Sequence, residues 1–297
     1  MAHIYKFYST LLKNLNVPQH NEIYYKIIQE DYEFYKNYAY LKYDEQYRGG
    51  KNDVIKYKHE GYTFIIHKDE EEDRTSFHVY NEDNIERNEV CMLLFIPKKE
   101  NYVYLQSISY YQNCYRPEMP KTKGGSLLLR MTLNFIDDIK SKYKLKYIQL
   151  KDNSTFTCEE DGKSTPICNL YMLTRGDTWY GKYGFIPFDP IKKQIDIDTL
   201  VDYKTNQKLV KIIKIKCTDI KEYLIKATYK LNLNRQYPEH IIDQIIKVYG
   251  AKSIQDFFRD FMEKYDTRCH IFNEIYKNFM MDMHLVDLYN KTYYKPI

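Results

Sequence analysis

The segment KTKGGS, residues 121–126, places two lysines and two glycines directly before a long apolar run. The first turn of a helix has backbone N–H groups without intrahelical partners, and the positive end of the helix dipole lies beside them. Phosphate groups bind well at this position. Gly124, Gly125 and Ser126 would let the backbone approach phosphate oxygens closely, and the lysines would add positive charge. A tight turn between a strand and a helix explains the same residues without a ligand.

Two common phosphate-binding patterns do not fit this segment. It lacks the three-glycine spacing of a dinucleotide-binding fingerprint and the G-x-x-x-x-G-K-[ST] pattern of a P-loop. The strand before it belongs to a predicted antiparallel meander, whereas both of those motifs follow parallel strands. A backbone-mediated anion site here therefore needs a different architecture.

A second segment, YGKYGF at residues 180–185, marks the passage from a helix to a strand. Gly184 fits the position after a helix end, where a left-handed φ is required. Phe185 is expected to enter the core. This local explanation requires no ligand, but it does not account for the aromatic cluster around the turn.

Taken together and in this order, the two segments resemble motifs of the GCN5-related N-acetyltransferase (GNAT) superfamily. The first aligns with R/Q-x-x-G-x-G/A at a strand-to-helix loop, and the second matches a pattern like Y-x-K-x-G-F. The helix, strand and helix between them also follow the family's order. The likeness extends over roughly Val54 to Lys216, and it is closest to acetyltransferase-like proteins of large nucleocytoplasmic DNA viruses.

This resemblance implies an acetyl-CoA site. The pantetheine arm would lie between two splayed strands, Tyr102–Tyr111 and Leu145–Leu150. The loop amides that bind the CoA pyrophosphate would be those of Lys121, Thr122, Lys123, Gly124, Gly125 and Ser126. The implied reaction is direct attack of a primary amine on the thioester in a ternary complex, with Tyr180 protonating the departing thiolate.

The attacking amine must be neutral, yet its pKa in water is about 10. A base, or a water chain leading to a base, would therefore take its proton. Glu118, Asp152 and His78 are candidates because they lie in or near the strand ends facing the predicted site. A protein lysine, a polyamine and a small molecule all remain open as the acceptor.

Several positions depart from the family's pattern. Lys121 replaces Arg or Gln, and Ser126 replaces Gly or Ala, where its hydroxyl could bind or crowd a phosphate. The loop Gln112–Lys121 is long for the family, and Thr174–Trp179 interrupts the second helix just before the tyrosine. The alternative function is therefore a catalytically inactive GNAT-fold protein with an interaction or virion-associated role.

The elements that must position these residues follow from hydrophobic periodicity. We expect an α+β, GNAT-like fold with a mixed, mostly antiparallel sheet flanked by helices. Its predicted parts are an N-terminal helical segment at 1–50, a GNAT-like core at 51–216 and a C-terminal helical extension at 217–297. The predicted strands are two in Val54–Lys68 and one each in Thr75–Asn81, Val90–Pro97, Tyr102–Tyr111, Leu145–Leu150, Gly184–Phe188 and Lys208–Lys216, with helices over about Gly125 to Tyr143 and from Cys168.

Composition narrows the possible partners. The formal charge is +4 over 297 residues, and acidic and basic side chains are interspersed. Nucleic-acid binders usually carry a basic stripe, so a nucleic-acid partner is not expected. The run DEEED at 69–73 is interpreted as a solvated hairpin tip. No apolar stretch is long enough for a transmembrane helix, and the N-terminus lacks the features of a signal peptide.

Six cysteines are scattered without a C-x-x-C pair. This spacing favours free thiols over a disulfide framework or a zinc site, so no metal is expected. Free thiols indicate a reducing compartment, and the predicted location is intracellular, in host cytoplasm or a virion if the chain is viral.

Overall fold

The computed structural model divides the chain into two compact units, Met1–Asp53 and Val54–Ile297. The predicted N-terminal helical segment at 1–50 lies outside the described residues. The structure describes residues 53–81, 90–110, 114, 119, 123–158, 162–212, 220–223, 226–227, 243–244, 247–248, 252–264 and 269–297.

An antiparallel meander opens the described part of the chain. Its strands are β1 Asp53–His59, β2 Tyr62–Glu70, β3 Arg74–Asn81, β4 Met92–Pro97 and β5 Tyr102–Ile108. Each strand lies beside the next in the sheet, and the pairs β2–β3, β3–β4 and β4–β5 are antiparallel. Glu60 and Gly61 form the first turn with φ of 48° and 84°, which confirms the predicted hairpin.

The meander ends where the chain crosses over through helix α1 (Gly124–Tyr143) to strand β6 (Tyr147–Asp152). The helix carries the chain back to the end of the sheet at which β5 begins, and β6 therefore runs parallel to β5. The buried side of α1 includes Leu128, Met131 and Phe135, which pack on the sheet in one hydrophobic cluster with Phe77 and Leu105. The predicted helix over about Gly125 to Tyr143 is thus confirmed.

The chain beyond β6 contains short strands, turns and helices, with further described helical residues at 220–223, 226–227, 243–244 and 247–248. The bounds are β7 Thr155–Thr157, β8 Ser164–Pro166, α2 Ile167–Arg175, a 3-10 turn Gly181–Tyr183, β9 Ile186–Asp189, β10 Gln194–Ile195, α3 Ile197–Ile212, α4 Ile254–Lys264, α5 Cys269–Asp282 and β11 Lys291–Pro296. Helices α2 to α5 share a second hydrophobic cluster that includes Leu173, Phe258 and Phe279.

The predicted strand at Lys208–Lys216 is wrong over its described part, which belongs to α3. The buried positions of this helix are Thr199, Tyr203, Asn206 and Val210, at helical spacing. Two of these four are polar, so the apolar pattern that would indicate a helix is weak. The burial of Asn206 is compensated by two hydrogen bonds to the Val286 backbone. Its Nδ2 donates to the Val286 carbonyl at 2.8 Å, and its Oδ1 accepts from the Val286 amide at 3.0 Å.

The predicted C-terminal helical extension at 217–297 is also wrong at its end. Strand β11 pairs antiparallel with β6 along its whole length and with β9 at Tyr293 and Tyr294. The described strands form a nine-stranded sheet in the order β1-β2-β3-β4-β5-β6-β11-β9-β10, with β7 and β8 in a separate pair. The fold is therefore α+β, with a mixed, mostly antiparallel sheet whose final central strand comes from the C-terminus.

Four of the six cysteines form disulfide bonds, Cys91–Cys114 and Cys158–Cys269, so the prediction of free thiols is wrong for them. Cys168 is a buried free thiol. Disulfides persist mainly in oxidising surroundings. The prediction of an intracellular location therefore loses the support that it drew from free cysteines.

The two disulfides close loops of 23 and 111 residues. In the chain-entropy model such closures stabilise the folded chain by about 3 and about 5 kcal/mol. We expect the pair Cys158→Ser with Cys269→Ser to lower the free energy of unfolding more than Cys91→Ser with Cys114→Ser, measured by chemical denaturation. A non-reducing digest in which all four thiols accept an alkylating reagent would contradict the pairing.

Candidate cofactor and active site

Strands β5 and β6 pair over only part of their length. The parallel register runs from Tyr102 opposite Tyr147 to Leu105 opposite Leu150 and then stops. On its other edge β5 has a bulge, because the register with β4 shifts between Leu93 and Leu94. A bulge bends a strand and increases its twist. Next to this bulge β5 parts from β6, since no pair follows Leu105 opposite Leu150, and among the described strands none pairs with the edge that this parting leaves on β5.

Helix α1 begins beside this parting. Lys123 is its N-cap, with a left-handed φ of 65°, and no described side chain caps the first turn. The amide of Leu127 donates to the Lys123 carbonyl at 3.1 Å, so the amides of Gly124, Gly125 and Ser126 precede the first intrahelical bond. No acidic residue lies in this turn. The turn therefore retains the electropositive character that an anion site requires.

Two aromatic rings pack on the glycines of this turn. A Cβ at Gly124 would overlap the ring of Tyr110, whereas a Cβ at Gly125 would lie 3.5 Å from Cζ2 of Trp179. Trp179 Nε1 lies 3.4 Å from the Ser126 hydroxyl, which also lies 3.4 Å from Nζ of Lys182. The first turn is thus covered on one side by the protein's own indole ring, with an exposed ammonium group beside it.

The turn that carries Trp179 and Tyr180 is held by helix α3. The Tyr203 hydroxyl donates to the Asp177 carboxylate, and Gln207 Nε2 donates to the Gly176 carbonyl at 3.2 Å. The Gly181 amide donates to the Thr178 hydroxyl at 2.9 Å. These bonds fix the loop between the end of α2 and the 3-10 turn. Helix α3 therefore positions the aromatic residues that this loop carries.

Tyr180 lies directly before the 3-10 turn, within electrostatic range of Asp152 of β6 and Tyr104 of β5. Its ring packs edge-on against Trp179 and Phe185, with centroids 4.7 and 5.8 Å away. Burial raises the pKa of the Tyr180 phenol above its ordinary value, and the charges of Asp152 and Tyr104 act in the same direction. The phenol stays protonated at neutral pH, which is the form that can donate a proton or a hydrogen bond.

Asp152 ends strand β6 just past its last pair with β5, and it is 1% exposed. Its Oδ1 accepts bonds from the Ser154 hydroxyl at 2.5 Å and the Ser154 amide at 3.2 Å. Its Oδ2 is buried and has no hydrogen-bond partner among the described residues, as is also true of the Tyr293 hydroxyl. Burial raises the pKa of the Asp152 carboxyl above its ordinary value, and the Ser154 bonds oppose that shift.

Of the other predicted site residues, Lys121, Thr122 and Glu118 lie outside the described residues, and the described structure does not bring His78 to this place. His78 alternates with the buried residues Phe77 and Val79, so it faces the opposite side of the sheet, where its Nε2 lies 3.4 Å from Asp69 Oδ2. Among the three proposed bases, Asp152 is the one that the described structure places beside Tyr180.

The acidic run at 69–73 forms the tip of the hairpin between β2 and β3, as predicted. Arg74 Nε donates to Glu71 Oε2 at 2.8 Å across this turn. No group of three or more His, Cys, Asp or Glu residues with metal-binding geometry occurs in the part of the chain that the structure describes. No helix within those same ranges has the length and hydropathy needed to span a bilayer.

Sequence reasoning missed several residues of the site: Tyr110, Trp179, Lys182, Tyr203 and Tyr293. Lys182 occupies the lysine position of the second motif, but the resemblance implied a role there only for Tyr180. Trp179 is the only tryptophan of the chain, and an unusual residue directly before a motif was the available signal. No sequence signal indicated Tyr293, because β11 brings it to β6 from the far C-terminal end of the chain.

Comparisons with known proteins do not identify the chain. No protein-family model matches it, and no curated protein is similar to it at a significant level. The site must therefore be interpreted from its own geometry.

The two glycines of the first turn should respond differently to a methyl group. Gly124→Ala forces the added Cβ into the Tyr110 ring, and overpacking of this kind costs about 1–3 kcal/mol. Gly125→Ala meets only ordinary contacts and gains helix propensity, so we expect unchanged or slightly higher stability. Chemical denaturation measures the difference, and equal stability of the two variants would contradict the described packing.

Proposed function

We propose that the chain is an acetyl-CoA-dependent N-acetyltransferase of the GNAT kind, which transfers an acetyl group to a primary amine. The proposal depends above all on the parting of β5 from β6 beside the uncapped first turn of α1. The second motif supports it, because Tyr180 lies within electrostatic range of both strands, through Tyr104 of β5 and Asp152 of β6. The acceptor is a protein lysine, a polyamine or a small molecule.

The parted strands suit an extended ligand that contains amides. Backbone N–H and C=O groups on an unpaired strand edge need hydrogen-bond partners. The pantetheine arm of CoA carries two amide groups and could take the place of a neighbouring strand along β5, as extended peptides do in other proteins. The chemistry of the edge thus matches the linear part of the cofactor.

The first turn of α1 suits the pyrophosphate. The amides of Gly124, Gly125 and Ser126 supply donors, and the exposed Lys182 ammonium lies 3.4 Å from the Ser126 hydroxyl. A diphosphate at this position would be stabilised by the helix dipole and by the Lys182 charge. Trp179 must turn away from Gly125 if the diphosphate binds on the side that its ring covers.

The same covering ring favours the alternative of a catalytically inactive interaction protein. In that case Trp179 and the hydroxyl of Ser126 complete the packing of the turn, and no ligand displaces them. The two functions therefore differ in a measurable property, which is the environment of the indole ring when CoA is present.

Trp179 provides an intrinsic probe of this site because it is the single tryptophan of the chain. With excitation selective for indole, we expect its fluorescence to shift and saturate on titration with acetyl-CoA or CoA, but not with acetate or ATP at equal concentration. Lys182→Ala should weaken the binding several-fold through loss of a charged contact. An unchanged Trp179 spectrum and no heat of binding at millimolar CoA would favour the inactive alternative.

Tyr180→Phe tests the acid role once binding is established. Loss of a positioned proton donor lowers kcat by about 10²–10⁴-fold, whereas affinity for acetyl-CoA should change little. Tyr183→Phe is the matched control because Tyr183 lies in the same turn and also contacts Trp179, with ring centroids 6.2 Å apart. Equal kcat for the two variants would remove Tyr180 from the mechanism.

A further inference from the structure

Asp152 is a buried carboxylate that lacks a cationic partner among the described residues. Only Ser154 bonds it, and both bonds go to Oδ1. An ionised carboxylate in a low-dielectric site is costly unless it is paired or hydrogen-bonded, and burial raises the pKa of the Asp152 carboxyl accordingly. Its unpartnered Oδ2 is the feature that a structural role leaves unexplained.

The position of Asp152 is set by the sheet. Its backbone pairs with Lys291 of β11, and Tyr293 pairs with Leu150, so Asp152, Leu150 and Tyr293 lie on one face of the sheet. This face carries the cluster that packs on α1. The residue stands just beyond the point where β5 leaves β6, at the inner end of the proposed pantetheine site.

We propose that Asp152 is the general base that takes the proton from the acceptor amine, through Oδ2 directly or through one water molecule. This assignment rests on the proposed acetyltransferase function. It gives the two ionisable groups of the site opposite roles, because Asp152 accepts a proton and Tyr180 donates one.

Asp152 and Tyr180 together account for every proton transfer of the proposed reaction. The ammonium form of the acceptor gives one proton to Asp152 Oδ2. The neutral amine attacks the thioester carbon, the N–C bond forms, the C–S bond breaks, and the thiolate takes a proton from Tyr180. The second proton of the nitrogen restores the Tyr180 phenol, and Asp152 then releases its proton to solvent. The products are the amide, free CoA thiol and one proton.

The groups that face Asp152 support this role. They are Tyr180 from the turn, Cys168 from the start of α2 and Tyr293 from β11, each within electrostatic range of the carboxylate. Burial raises the pKa of all three above their ordinary values, so they are neutral near pH 7. Asp152 is the carboxylic acid of this group, and its raised pKa makes it a stronger base than an exposed carboxylate.

Asp152→Asn keeps the shape of the side chain and removes the base. We expect kcat to fall at least about 100-fold near pH 7, while the Trp179 fluorescence titration with acetyl-CoA stays unchanged. The lost rate should return as pH approaches the solution pKa of the amine, with a rise of about tenfold per pH unit. Asp137→Asn is the control, because Asp137 is an exposed carboxylate whose described ion pair is with Lys140.

Stability against pH gives a readout that does not depend on turnover. A carboxyl whose pKa is raised on folding favours the folded state when protonated, and this contribution is lost as pH rises through the folded-state pKa. Relative to wild type, Asp152→Asn should therefore gain stability as pH rises from about 4 towards 7.

The outcomes separate the two proposals. An active wild type with an Asp152→Asn variant that retains kcat within about threefold, and the same pH profile, overturns the base and leaves the acetyltransferase function in place. A variant that loses acetyl-CoA affinity and stability together, with an unchanged pH profile, shows a structural role and also overturns it. A wild type that binds no acetyl-CoA overturns both proposals at once.

Discussion

The backbone of β6 needs a hydrogen-bonding partner on both edges, and the sheet supplies the two partners differently. On one edge β5 leaves after Leu150, whereas on the other edge β11 continues to Asp152. Without β11, the last residues of β6 would be unpaired on both sides, and unpaired backbone groups in a buried sheet are costly. The C-terminal strand therefore makes the parting tolerable, and it holds Asp152 in a paired strand.

The meander and α1 could be predicted from sequence because their signals are local. The turn at Glu60 and Gly61, the continuous apolar run in β4 and the apolar spacing in α1 all act within a few residues. Strand β11 could not, because its partner lies about 140 positions away and only Tyr293 among its residues is buried. The disulfides join positions 23 and 111 residues apart, and nothing near any of the four cysteines indicates its partner.

The strand prediction at Lys208–Lys216 was wrong for a different reason, which lies in the composition of α3. Its buried positions follow helical spacing, but Thr199 and Asn206 are polar, and the exposed face carries Val201 and Ile212. Hydrophobic periodicity reports burial only when the buried residues are apolar. Here the burial is satisfied by hydrogen bonds, including the pair between Asn206 and the backbone of Val286. The polar side of this helix also holds the Tyr180 turn through Tyr203, so the feature that obscured the helix is the one that serves the site.

The glycines of the first motif explain why sequence alone stops short of a ligand. Gly124 does mark a place where another group approaches the backbone closely, but in this structure that group is the ring of Tyr110. A Cβ at Gly125 would make only an ordinary van der Waals contact, with the Trp179 ring that lies over it. A glycine specifies the space beside it, not what fills that space. Asp152 gives complementary information, because one oxygen of this 1% exposed residue has no hydrogen-bond partner in the part of the chain that the structure describes, and such burial is unfavourable. The space at Gly125 is consistent with both functions, whereas the unpaired carboxylate beside Tyr180 favours the one in which a proton must be moved.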